Sequence, residues 1–127
     1  MEFTKGIKSL LGHSTITDII STRSFPIQAP SGTSLPFLTY EVINVTFEHS
    51  KDKAEYKLAE LELVGYSSTY SDAVDLCEAL KTRFARAPFD SLGIVIDNIF
   101  LQSEEIEFFE SPDRYACVLE IKAFLPL

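Results

Sequence analysis

The chain has 127 residues, 46% apolar and 24% charged, with a formal net charge of −8. That describes one folded domain, residues 1–127, with enough apolar mass for its own core, and it argues against a disordered chain. The negative balance excludes binding to a nucleic-acid backbone by counterion release, which leaves protein partners or nucleic acid that passes without adhering.

From the N-terminus, Phe3, Ile7, Leu10 and Leu11 fall at helical spacing, and Gly12 is placed to end that helix. Glu2, Lys5 and Lys8 interrupt this segment, so it does not read as a secretory signal, and no apolar run in the chain approaches a membrane span. Ser14 or Thr15 can cap a second short helix whose buried stripe is Ile16, Ile19 and Ile20, and Thr15 with Asp18 forms a capping-box-like pair. Residues 24–34 contain Pro26, Pro30 and Gly32 and read as an extended, turn-rich connection.

A first strand follows, with Phe37, Thr39, Glu41, Ile43, Val45 and Phe47 alternating against Leu38, Tyr40, Val42, Asn44 and Thr46. Both sets carry apolar groups, which predicts cover on both faces over part of its length. Residues 48–55 are mostly ionisable and predict a solvated hairpin tip. In a second strand, over 56–66, Ala59, Leu61 and Leu63 point one way and Glu60 and Glu62 the other, the pattern of an antiparallel strand with one wet face. Thr69 or Ser71 can then cap a helix beginning near Asp72. Its stripe is Ala73, Leu76, Cys77, Leu80 and Phe84, and Pro88 stops it.

Residues 94–101 predict a third strand and 106–109 a shorter fourth. A Ser111-Pro112-Asp113 turn leads into a last strand over 115–124 that faces Tyr115, Cys117, Leu119, Ile121 and Ala123 inward. The predicted fold class is α+β, in the order α-α-β-β-α-β-β-β, an antiparallel sheet with helices packed on one face.

No arrangement of residues carries recognisable chemistry. His13 and His49 lie in different loops without a Cys-x-x-Cys pair, so no metal site is expected. Cys77 and Cys117 each sit in an apolar context and read as reduced core thiols. The glycines are scattered, which provides no phosphate-cradling loop, and Tyr40, Tyr56 and Tyr66 stand mostly among acids, unlike a base-stacking platform. The chain is therefore expected not to be an enzyme and to need no cofactor.

Two charged features remain. Glu104, Glu105, Glu107, Glu110 and Asp113 read either as a solvated hairpin or as an acidic rim or channel surface that repels DNA phosphates at close range. The loop with Glu48, His49, Lys51, Asp52 and Lys53 reads either as a plain turn or as a docking finger.

Leu35-Pro36-Phe37-Leu38-Thr39-Tyr40-Glu41-Val42, after a Pro/Gly-containing lead-in, resembles the first strand of the tail completion proteins of long-tailed bacteriophages. The passage from Leu61 through the polar Ser67-Ser68-Thr69 turn to Ala73, and the closing segment over 115–124, resemble later elements of that family. The resemblance runs from about His13 to Phe124. It implies a late virion structural protein, a tail terminator that caps the tail tube as a hexameric ring and joins it to the head connector. The implied partners are other copies of the chain, the major tail tube protein and a head completion or connector protein. DNA would pass through the ring without specific binding.

The implied location is the head–tail junction of the virion, after synthesis in the host bacterial cytoplasm. The N-terminal stripe of Phe3, Ile7 and Leu10 is longer than the family requires and could pack on a neighbouring subunit. The alternative reading is a small non-enzymatic module that binds a ligand or peptide on its sheet.

Overall fold

A computed structural model describes residues 7–8, 11–12, 14–21, 23–49, 54–84, 89–91, 94–96, 98–110 and 113–126. The elements are helix α1 (Ser14–Ile20), strands β1 (Ser24–Pro26), β2 (Phe37–His49) and β3 (Ala54–Ser67), helix α2 (Tyr70–Phe84), and strands β4 (Phe89–Ser91), β5 (Ile94–Ile96), β6 (Asn98–Phe109) and β7 (Arg114–Pro126). Before α1, Ile7, Lys8 and Leu11 are helical, and Ile7 and Leu11 are buried.

The class is α+β as predicted, but the sheet is mixed. Its order is β1-β2-β3-β7-β6, antiparallel throughout except that β1 runs parallel to β2 through Ser24–Leu38, Phe25–Thr39 and Pro26–Tyr40. The segment expected to be only a connection thus supplies an edge strand. It takes up a proline because an edge strand leaves some backbone N–H groups without a ladder partner. The two strands expected over 94–101 and 106–109 are divided differently. β5 pairs with β4 in a separate two-stranded sheet, and β6 continues as one strand through the acidic stretch, with a register shift between Leu101 and Ser103. The hairpin ladder also reaches further than the expected tip, with Glu48 opposite Tyr56 and His49 opposite Ala54.

One face of the sheet carries the core. Leu38 and Tyr40 of β2, Ala59, Leu61 and Leu63 of β3, and Cys117, Leu119, Ile121 and Ala123 of β7 are all buried. They pack with Leu76, Cys77, Leu80 and Phe84 of α2 and with Ile16 and Ile20 of α1. The alternation of β3 and β7 and the 3.6-residue stripe of α2 are two periods serving one interface. Gly65 sets how closely α2 lies on the sheet. A Cβ there would stand 2.5 Å from Leu76 Cδ2 and 3.0 Å from its Cγ.

Thr69, of the two predicted caps, starts α2: its hydroxyl accepts from the Asp72 amide at 3.1 Å. Asp72 in the first turn and Lys81 and Arg83 in the last complement the helix dipole.

Candidate functional site

Among the described residues no helix lies on the second face of the sheet, and the strand register shows what that face carries. Residues that alternate with the core positions line up across four strands: Phe37–Tyr66–Ala116–Glu107, Thr39–Val64–Val118–Glu105, Glu41–Glu62–Glu120–Ser103 and Asn44–Glu60–Lys122–Phe100. One end of this open face is aromatic and its middle is acidic.

Glu41, Glu62 and Glu120 stand directly opposite one another, an arrangement that costs free energy when like charges meet across strands. Burial, with Glu120, Glu41 and Glu107 nearby, raises the Glu62 carboxyl above the ordinary glutamate value. In the adjoining row, the Lys122 ammonium lies 4.0 Å from the Glu60 carboxylate.

Of the acids expected to form a rim, Glu105 and Glu107 belong to this face and Glu110 lies in the turn after β6. Glu104 points to the helix side instead. There it accepts from Lys81 at 2.9 Å and from the Cys77 thiol at 3.6 Å. Lys81 also reaches Glu78 at 2.8 Å, and these two hydrogen bonds hold its ammonium above the ordinary lysine range. The same Lys81 contact lowers the Glu104 carboxyl. The residues that sequence reasoning missed are Glu41, Glu62 and Glu120. Their outward parity was readable, but their convergence depends on register.

The docking-finger residues divide similarly. Glu48 and His49 lie in the β2 backbone ladder, while Lys51, Asp52 and Lys53 fall outside the described residues, as does Phe3. Ile7, expected to be available to a neighbouring subunit, is 1% exposed and belongs to this chain's own core. It shares one buried cluster with Leu11, Ile16 and Ile20. His13 is also outside the described residues, and no cluster of potential metal ligands occurs among those described. Cys77 and Cys117 are both free and buried, and burial raises both thiols.

At the aromatic end, a groove of about 450 Å³ opens between the 27–35 loop and the sheet. Phe37 and Tyr66 stack at 4.8 Å, and the Arg114 guanidinium lies over Tyr66 at 5.5 Å and Phe109 at 5.3 Å. The loop holds Ile27 at φ 65°, a conformation costly for a β-branched residue, and the residue is 71% exposed.

No protein-family profile and no curated protein sequence matches the chain. Among solved structures it is similar to a chain of the virion of a native gene transfer agent (GTA) particle, with a TM-score of 0.80 and 11% sequence identity, covering 97% of this chain and 93% of that one. At that identity the likeness establishes a shared fold over nearly the full length of both chains.

Proposed function

We propose that this chain is a virion structural protein of the phage type, which caps the tail tube as a hexameric ring and joins it to the head connector. The observation that carries this reading is the near-complete fold likeness to a chain of the GTA virion. The resemblance of the 35–42, 61–73 and 115–124 segments to tail completion proteins supports the finer role.

The surface chemistry fits. Burying excess apolar edge surface between subunits suits a ring of small domains. The open face with Glu41, Glu62, Glu120, Glu105 and Glu107 suits a wall past which DNA slides, because it offers phosphate no counterion-releasing contact. In this reading the chain works by shape and contact, at the head–tail junction, and carries out no catalysis. Light scattering and electron microscopy of the purified chain, alone and mixed with tail tubes, test it. A ring in solution or at one end of the tube is expected, and unbound monomers in both experiments would contradict it.

The groove beside Phe37, Tyr66 and Arg114 favours a second reading, a binding module for a small ligand or peptide. Neighbouring genes for tail tube, tape measure and connector proteins would favour the ring. Their absence would favour the module.

A further inference from the structure

We propose that the two edges of the five-stranded sheet are the complementary halves of a head-to-tail contact between copies of this chain. This inference rests on the ring reading above and names the surfaces that close the ring.

Among the described residues, every exposed large apolar side chain except Tyr70 lies on an edge strand, in the loop directly after one, or on the part of β2 beyond Tyr40 that β1 leaves unpaired. Ile27, Ile43 and Phe47 belong to the β1/β2 edge, and Phe100, Leu101 and Phe108 to the β6 edge. Edge strands with exposed apolar residues invite uncontrolled pairing unless something covers them.

The ladder shows that these edges match in height. Val42 is level with Leu61, Ile121 and Leu101, and Asn44 with Glu60, Lys122 and Phe100. Across this upper half both edges are free of charge, over 42–47 on β2 and 98–103 on β6.

In the lower half the edges carry opposite charges. Ser24 is level with Leu38, Gly65, Cys117 and Ile106, whose neighbours along β6 are Glu105 and Glu107. On the β1 side, the Arg23 carbonyl accepts from Leu38, so the next carbonyl, that of Ser24, points off the sheet. The Lys8 ammonium sits there, donating to the Ser24 carbonyl at 2.5 Å and its hydroxyl at 2.6 Å. Arg23, the residue before Ser24, donates through Nε to the Pro36 carbonyl at 2.9 Å.

One edge is thus cationic where the other is acidic, and from Val42 upward, over 42–47 and 98–103, both are uncharged; Glu41, at the junction between the two parts, is level with the uncharged Ser103. A rotation about an axis along the strands brings one edge of a copy against the other edge of the next at equal height, which is the heterologous geometry of a closed ring. The contact is made through side chains rather than one continuous ladder, because β1 occupies the place beside Leu38–Tyr40 where an added strand would run. Ile27, between the cationic and apolar parts, then has a reason for its exposed, left-handed backbone: it projects into the neighbour.

The test is a charge swap read by light scattering and electron microscopy, with circular dichroism to check folding. Two variants are made, E105K/E107K on one edge and K8E/R23E on the other. Each alone is expected to need at least about tenfold more protein to assemble, because like charges then meet at every contact. An equal mixture of the two is expected to assemble again as alternating rings, because each reversed edge meets its complement.

If the wild-type chain forms rings but either variant assembles equally well, or the mixture fails to recover, the edge assignment is overturned and the ring reading stands. If the wild-type chain forms no ring, alone or on tail tubes, the ring reading itself fails. Ile27→Gly covers the case of a misfolded charge variant. It relieves the left-handed strain and is expected to keep its melting temperature while needing about tenfold more protein to assemble. Assembly equal to wild type would overturn the assignment.

Discussion

Glu62 shows how a single side chain records a compromise between folding and surface chemistry. Its carboxyl stands between Glu41 and Glu120, partly buried, and its folded-state value is raised. A raised carboxyl is stabilised by its proton, so its contribution to folding is most favourable below the ordinary value of 4.5 and is lost as pH rises through the raised folded value. At neutral pH, Glu62→Gln is therefore expected to stabilise the chain by about 0.2–1 kcal/mol, the range of cross-strand pair effects. The gain should vanish below the unfolded value, and urea melts at neutral and acidic pH check this.

Gly65 is a compromise of another kind. Its bare backbone lets Leu76 approach, and an added methyl would meet Leu76 Cδ2 at 2.5 Å in a fully buried place. Gly65→Ala is expected to destabilise by about 1–3 kcal/mol through overpacking. Thermal unfolding monitored by circular dichroism measures it.

At the scale of elements, what local chemistry specifies was legible and what pairing specifies was not. Helix α2 announced itself through Ala73, Leu76, Cys77, Leu80 and Phe84, all of which are buried. Its start could be narrowed only to Thr69 or Ser71, and the Asp72 amide bond decides for Thr69. Thr69→Ala is expected to cost about 0.5–2 kcal/mol of stability in the same melts, the usual value of an N-cap.

Strand β3 and the inner face of β7 could be read because alternation is a local signal. Strand β1 could not, since three residues ending in Pro26 have no period and become a strand only through distant β2. Nor could the course of β6, where apolar and acidic stretches looked like separate pieces until β7 paired with both. The candidate site suffered most. The outward glutamates of each strand were visible one by one, but Glu41, Glu62 and Glu120 form a row only once β2, β3 and β7 are in register.

At the scale of the molecule, the net charge of −8 is unevenly distributed. Among the described residues, one face of the sheet is closed by helices over a continuous core, the other carries a band of carboxylates and no helix, and the exposed apolar residues are largely gathered at the two edges. A free monomer gains little from this distribution, because acidic crowding costs stability and bare apolar edges invite uncontrolled pairing. In a ring the edges would be covered and the carboxylates would face a passage.

Electron microscopy of particles from a virus lacking this chain tests that account most directly. It predicts filled heads and separate tails, with few joined particles and tails of uncontrolled length. Normal yields of joined, infectious particles with tails of wild-type length would contradict it.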